Sequence, residues 1–259
     1  MTSHQFNWPE GEKLVFVRPP VEEYHGHLAN FYQPELFPEL LPLKDHWKEI
    51  RDEILEFERT KGLISEMTAT TPAKMYGGSW SLIVLSSMRR LRHENRKRFP
   101  LICSITDKIP NIVFVGVSIM PPNTEIAPHY GDTNGIIRSH LALIIPAPYP
   151  TIGIKVGEEE RGWEEGELLS FINVQKHNVW NKSPHRRYVL MIDSIPEILQ
   201  PRTMEICSKG LGSQTFNYLW MVFPALRYTP PFVHSLIVAA ATLAWRIYLP
   251  VQRRFTFLP

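Results

Sequence analysis

IVFVGVSI, residues 112–119, is a run of branched and aromatic residues closed by Pro121-Pro122-Asn123. That composition at that length reads as a buried strand. Working outward, WSLIVL (80–85) precedes it, and IRSHLALII (137–145), IGIKV (152–156), ELLSF (167–171) and RYVLMID (187–193) follow. Short strands separated by Gly, Pro and Asn turns point to an antiparallel sandwich or jelly roll. Upstream, LKDHWKEIRDEILEFERTKG (43–62) puts Trp47, Ile50, Ile54 and Phe57 on one helical face. Asp45 is placed to cap that helix and Gly62 to stop it. The fold class expected is mainly β with flanking helices, the helix covering one sheet.

The rest of the chain bounds what this core can do. With 259 residues, 44% hydrophobic and 21% charged, the sequence is that of a folded protein able to bury a core without disulfides. Two distant cysteines, Cys103 and Cys207, exclude a disulfide scaffold and a cysteine-based zinc cluster. A net charge of +2 gives no argument for nucleic-acid binding. The polar start MTSHQFNWPEGEK has no apolar core of a secretion signal, so an intracellular location is expected, cytoplasmic or peripheral to a membrane. Residues 1–42, punctuated by Pro19-Pro20, Pro34, Pro38 and Pro42, read as an N-terminal arm lying on a domain over 43–200.

Two segments carry patterns of their own. Residues 89–98 hold Arg89, Arg90, Arg92, Arg96, Lys97 and Arg98. They read as a solvated helix face or as a patch for acidic lipid headgroups or an acidic partner. Residues 201–259 form a hydrophobic helical tail, whose segment 231–249 (PFVHSLIVAAATLAWRIYL) starts on Pro231 and is expected to stop at Pro250. His234 and Arg246 leave an apolar run, Leu236 to Trp245, too short to span a bilayer. The segment therefore reads as an interfacial or tail anchor flanked by Arg227, Arg253 and Arg254, as a helix packed on the protein, or as a subunit seam.

The chemistry concentrates between Pro121 and Asp193. His129 sits in PHYGDTN, Arg138 and His140 in RSHLALIIP, His177 in HNVWN, and Arg187 ten residues later. Taken singly, each is an ordinary surface or core residue. Two histidines near the ends of different strands can meet on one metal inside a small barrel, and neutral imidazoles suit divalent iron. An arginine on the strand after the second histidine is placed to hold a carboxylate bidentately.

The ordered set Ser118-Ile119-Met120, Pro128-His129-Tyr130-Gly131, Thr133-Asn134, Arg138-Ser139-His140-Leu141, Ile145-Pro146, Trp163-Glu164-Glu165-Gly166, His177-Asn178-Val179-Trp180, Arg187 and Asp193 resembles the aspartyl/asparaginyl β-hydroxylase family of Fe(II)- and 2-oxoglutarate-dependent oxygenases. The resemblance runs over about 37–198, most clearly from about 111. It implies a double-stranded β-helix, a cupin-like jelly roll. It implies that His129 and His177 hold Fe(II), that Arg187 holds the far carboxylate of 2-oxoglutarate, and that Arg138, His140, Ser118 and Trp80 line the cosubstrate pocket. The activity implied is O2-dependent hydroxylation of an unactivated C–H bond, with 2-oxoglutarate decarboxylated to succinate. The expected substrate is a small molecule, a lipid-like molecule or a biosynthetic intermediate, with Asp or Asn of a peptide also open. Gly131 stands where the commoner iron site has a carboxylate, and the resembled hydroxylases share that glycine. Asp132 is read as structural or behind the ligands. The rival reading is a non-catalytic, membrane-associated binding protein on an oxygenase-like fold, motivated by Gly131 and the apolar tail.

Overall fold

The structure is a computed structural model, in which residues 6–17, 23–62 and 80–255 are described. Pro19-Pro20 lie outside the described residues, as do the side chains of Arg253 and Arg254. The strands are β1 (Phe31–Tyr32), β2 (Ser81–Ser87), β3 (Arg90–Leu91), β4 (Ile112–Met120), β5 (Thr124–His129), β6 (Ile137–Ile144), β7 (Ile152–Val156), β8 (Glu159–Arg161), β9 (Leu168–Phe171), β10 (His177–Asn181) and β11 (Arg187–Ser194). The longer helices are α1 (Trp47–Lys61), α2 (Pro100–Thr106), α3 (Thr203–Val222) and α4 (Pro231–Phe255).

Two antiparallel sheets face each other, one in the order β1-β9-β6-β11-β4-β2-β3 and one in the order β5-β10-β7-β8. From β4 onward the chain steps from sheet to sheet: β4, β6, β9 and β11 lie in the large sheet, and β5, β7, β8 and β10 in the small one. This alternation is the double-stranded β-helix, in which neither sheet is completed by a local run of sequence. It explains the burial pattern. The central strands β4 and β11 have neighbours on both edges and apolar cover on both faces, so they read as continuous Val/Ile/Leu runs without alternation.

Ile50 and Ile54 of α1 are fully buried in the main core, and α1 lies against β6. Each such side chain contributes on the order of 2 kcal/mol by leaving water. Glu53, on the same helix, accepts hydrogen bonds from the backbone N–H groups of Leu101 (2.7 Å) and Ile102 (3.0 Å), and so caps α2 from a distance of nearly fifty residues. The arm is clamped by side chains rather than by its own pattern. Glu12 accepts from Tyr24 Oη (2.7 Å) and Asn134 Nδ2 (2.8 Å), while Thr133 Oγ1 donates to the Val15 carbonyl (2.7 Å). Phe31 and Tyr32 then extend the large sheet beside β9.

Several sequence expectations change. Asp45 does not cap α1. It ends a separate turn, Pro42–Asp45, and His46 precedes α1 because Pro42 starts helical geometry four residues early. Gly62 does end α1, at φ 88°. The basic run is not one helix face: Met88 and Arg89, both at positive φ, make a two-residue turn between β2 and β3, and a single helical turn, His93–Arg96, follows. The buried Met88 side chain packs with Ile206, Cys207 and Leu211 of α3, which holds this unfavourable backbone in place. Strands β5 and β10, short and rich in Pro, His and Asn, were not legible as strands.

The tail is a helical hairpin. Pro250 lies inside α4, which runs on to Phe255. The stretch Pro231–Gln252 is long and apolar enough to cross a membrane by length and composition, so the limit inferred from the run Leu236–Trp245 does not hold. His234 is accounted for by packing: its Nε2 lies 2.9 Å from Thr229 Oγ1, and its ring packs against Phe216 and Trp220 of α3, both at 5.2 Å. Gly212 lets the two helices approach closely, since a Cβ there would lie 2.3 Å from Thr242 Oγ1. Leu249 and Trp245 reach the cluster beneath α3, while Phe232, Leu236, Leu243, Ile247 and Tyr248 stay exposed.

Candidate active site

His129 ends β5 and His177 begins β10, and antiparallel pairing sets these two residues directly opposite each other. Their rings lie 4.1 Å apart between centroids. Each ring is oriented in the same way by its own strand. His129 Nδ1 lies 2.9 Å from the Ala127 carbonyl, and His177 Nδ1 lies 2.8 Å from the Gln175 carbonyl. A carbonyl only accepts, so Nδ1 carries the proton in both, and the basic lone pair of each ring is on Nε2. Burial holds both rings well below the ordinary histidine range, His129 at about 4. They are neutral at physiological pH, the state in which imidazole binds metal.

The cavity behind the pair collects the residues expected to hold the metal and cosubstrate: Trp80, Ser118, His129, Arg138, His140, His177 and Arg187 all line it. Ile126, Phe171, Val179 and Met191 complete the wall. Trp80 Nε1 donates to Ser118 Oγ (2.8 Å), tying β2 to β4 across the cavity edge.

Arg187 is the unusual group. Its side chain is 1% exposed, and among the described residues its Nε and Nη1 have no hydrogen-bond partner. Its contacts are the Trp163 ring, 4.8 Å from the guanidinium carbon, and Met120 Sδ at 3.9 Å. Burial lowers its pKa to about 9. His140, stacked on Trp163 at 5.8 Å, also has both ring nitrogens buried without partners among the described residues, and burial, then Arg187 and Arg138, push its pKa far down. Buried polar groups are nearly always satisfied. A guanidinium and an imidazole left together therefore form a cradle with donor capacity for an oxyanion.

Arg138 is treated differently. Its Nε and Nη2 each donate to a carboxylate oxygen of Asp193, both at 2.7 Å. Asp193 was visible only as the end of a pattern, with no role assigned. Asp132 lies off this inner cavity in a wider cleft, with its carboxyl raised to about 6 by burial. Among the described residues no group of three or more His, Cys, Asp or Glu could hold a metal. Among the described residues the histidine pair is thus the donor set that an ion would meet here. Gly131 explains part of this: a Cβ there would lie 2.7 Å from the Asn173 carbonyl, to which Gly131 N already donates at 2.8 Å. The commoner carboxylate has no room.

Trp163, which packs on Arg187 and His140, had no signal beyond a place in the ordered pattern, and Phe171, which packs on His140, none beyond a place in a strand. The carbonyls of Ala127 and Gln175 had none, because backbone groups leave no mark in side-chain composition.

Strand order and site together define a jelly-roll protein of cupin type, with a histidine pair and a buried guanidinium in one cavity. The model of the family Aspartyl/Asparaginyl beta-hydroxylase matches residues 44–196, and the chain belongs to that family. It is 26% identical over 200 residues to the ornithine lipid ester-linked acyl 2-hydroxylase of Rhizobium tropici, covering 75% of this chain and 68% of that one. It is 32% identical over 157 residues to the human aspartyl/asparaginyl beta-hydroxylase, covering 58% of this chain and 20% of that protein. Among solved structures, the Schizosaccharomyces pombe Cnp3 cupin domain is similar at a TM-score of 0.32, with 11% identity over 49% of this chain and 72% of that one.

Proposed function

We propose that the protein is an Fe(II)- and 2-oxoglutarate-dependent hydroxylase acting on an aliphatic C–H bond of a lipid-like substrate. One observation carries the reading: a neutral histidine pair with both Nδ1 protons fixed shares a cavity with a buried arginine whose Nε and Nη1 have no partner among the described residues. The residues fit both groups. His129 and His177 would hold the iron through Nε2, and the pinned carbonyl contacts keep the rings from turning. Arg187 would take the distal carboxylate of 2-oxoglutarate, where its planar donor edge matches a carboxylate and the dry wall of Trp163 and Met120 strengthens the contact. His140 sits beside that contact. Bound iron with 2-oxoglutarate supplies the oxidising power for inserting one atom of O2 into the C–H bond. The chain's own tasks are to keep the imidazoles neutral, hold the cosubstrate in one orientation and keep bulk water from the reacting carbon.

The lipid-like class is supported by the match over most of the chain to a lipid acyl hydroxylase, and by an exposed apolar helix beside the site. That helix also supports association with a membrane.

The test is anaerobic reconstitution of the full chain with Fe(II), followed by addition of O2, 2-oxoglutarate and a membrane lipid extract. Succinate should form in proportion to products heavier by one oxygen, and both should vanish in His129→Ala/His177→Ala. Equal turnover by that double variant overturns the proposal.

A further inference from the structure

The inner cavity opens into a cleft of about 690 Å³, and the two share Trp80, His129, Arg138, His177 and Met191. The cleft leaves the histidine pair along Leu82, Val84 and Phe114, passes beneath Leu211 of α3, and ends against Arg90, Arg92 and Trp245. Leu82, Val84, Phe114, Ile136 and Leu211 give it an apolar wall beside polar groups of α3 such as Gln214 and Asn217, and Arg90 and Arg92 make its outer end cationic.

The outer end is built from three separate elements. Trp245 of α4 donates from Nε1 to Thr215 Oγ1 of α3 at 2.8 Å, which fixes the indole plane. The Arg90 guanidinium, on β3, lies 5.0 Å above that ring. An arginine stacked on an aromatic face keeps its N–H edge available for an anion. Arg92 stands beside it at the rim. Its pKa is lowered by burial against its neighbours and then by the like charge of Arg90. Elsewhere in the basic run Arg96 pairs with Asp107 and Lys97 with Glu94. Among the described residues neither Arg90 nor Arg92 has a carboxylate partner. The acids that line the cleft are Asp132 and Asp193, and Asp193 is committed to Arg138. Two like charges held together without an acid complement an oxyanion. The same end of the cleft adjoins α4, whose Leu243, Ile247 and Tyr248 are exposed, so it opens beside the surface suited to a bilayer.

We infer that Arg90 and Arg92, backed by Trp245, clamp the anionic phosphate headgroup of a membrane lipid whose acyl chain runs down the cleft to His129 and His177. The helical hairpin is then one wall of the substrate site, and the distance from clamp to histidine pair selects which chain carbon is presented. This inference rests on the hydroxylase reading only for the destination of the chain. The clamp is a binding site whether or not oxygen is inserted.

The test uses the purified full chain in neutral detergent, without metal or cosubstrate, with dioctanoyl phosphatidic acid, dioctanoyl phosphatidylcholine and inorganic phosphate as separate probes in a calorimetric titration. Phosphatidic acid should bind at least tenfold more tightly than either other probe. Arg90→Gln/Arg92→Gln should lose that preference, Arg90→Lys/Arg92→Lys should keep much of it, and Lys97→Gln/Arg98→Gln, with the same change in charge on the same run, should retain it fully. Equal affinity for the two lipids, or an unchanged preference in the Gln double variant, overturns the clamp. Inorganic phosphate binding as tightly as the lipid overturns the lipid source. A parent chain that binds phosphatidic acid with this preference but, loaded with Fe(II) and given O2 and 2-oxoglutarate, forms neither succinate nor an oxygenated lipid sinks the hydroxylase reading and leaves the clamp standing.

Discussion

Replacing Arg187 with methionine should make the ligand-free protein more stable while abolishing its response to 2-oxoglutarate. The charge is buried at 1% exposure, two of its nitrogens have no partner, and its pKa falls from the ordinary arginine range to about 9. At about 1.4 kcal/mol per tenfold change in proton affinity, that fall corresponds to about 5 kcal/mol against burying the charged form. The Trp163 face returns part of it, on the order of 2 kcal/mol for a desolvated cation over an indole. A net gain of about 1–3 kcal/mol remains for a side chain of similar length and no charge, in line with other replacements of buried ions by apolar groups. For a chain of this size each kcal/mol moves the melting temperature by about 2–4 °C. Differential scanning calorimetry without ligand should therefore show Arg187→Met melting at least 2 °C above the parent chain. Millimolar 2-oxoglutarate with Fe(II) should raise the melting temperature of the parent chain and leave the variant unmoved. A variant that melts lower without ligand, or that keeps the ligand-induced rise, refutes the view that this guanidinium is held at a cost for an incoming carboxylate.

Other expectations follow from single contacts. Gly131→Asp should not create a third iron ligand, because the new Cβ would lie 2.7 Å from the Asn173 carbonyl; we expect about 1–3 kcal/mol of destabilisation and no gain in Fe(II) affinity by competition titration, and tighter iron binding would contradict the steric argument. Gly212→Val should separate α3 from α4, since Thr242 N and Val238 O lie 3.1 Å from a Cβ there; proteolysis in the linker between the helices should accelerate several-fold, and an unchanged rate would count against the close approach. Arg202, then Lys209, holds the Glu205 carboxyl at about 2 in the folded state. A depressed acid stabilises fully above its unfolded pKa and loses this as pH falls through its folded pKa, so the contribution of Glu205 should disappear between about pH 4.5 and 2. The pair is partly solvated, which limits the effect to about 0.5–1 kcal/mol, and Glu205→Gln should flatten that part of the stability-versus-pH curve.

What the sequence made legible follows physical lines. β4 and β11 were readable because strands covered on both faces carry near-continuous apolar runs, as Ile112 to Val117 and Tyr188 to Ile192 do. β5 and β10 were not, because they end at the cavity: the polar His129, His177, Asn178 and Asn181 break the apolar period there. The cavity residues were recoverable as an ordered set, since each comes from a strand that the jelly roll must bring to one end. The cleft was not recoverable. It depends on α3 lying back over Met88 and on Trp245 meeting Arg90, contacts between segments more than a hundred residues apart with no shared pattern. Pro250 misled for a local reason: a proline near the end of a helix removes one hydrogen bond, which the last turn of α4 tolerates.

The two arginines of the large sheet show how register divides structure from function. Arg138 and Asp193 are direct partners across β6 and β11, so their side chains meet without any further choice by the fold. That arginine is neutralised by its neighbour at two bonds of 2.7 Å, and its charge is part of the sheet. Arg187 begins the same β11, six residues earlier, and its partner on β4 is Met120. An even spacing puts Arg187 and Asp193 on the same face, so both point to one side of the sheet. Among the described residues no acid stands opposite Arg187, and the groups it touches are Trp163 and Met120, which can pack against a guanidinium but cannot neutralise it. A fold selected for stability alone would place an acid or an apolar residue at one of these positions, as it has done for Arg138. The register instead leaves the charge dry and at the wall of the cavity that holds the histidines, with Nε and Nη1 unpaired among the described residues, which is the arrangement the proposed carboxylate of a cosubstrate would complete.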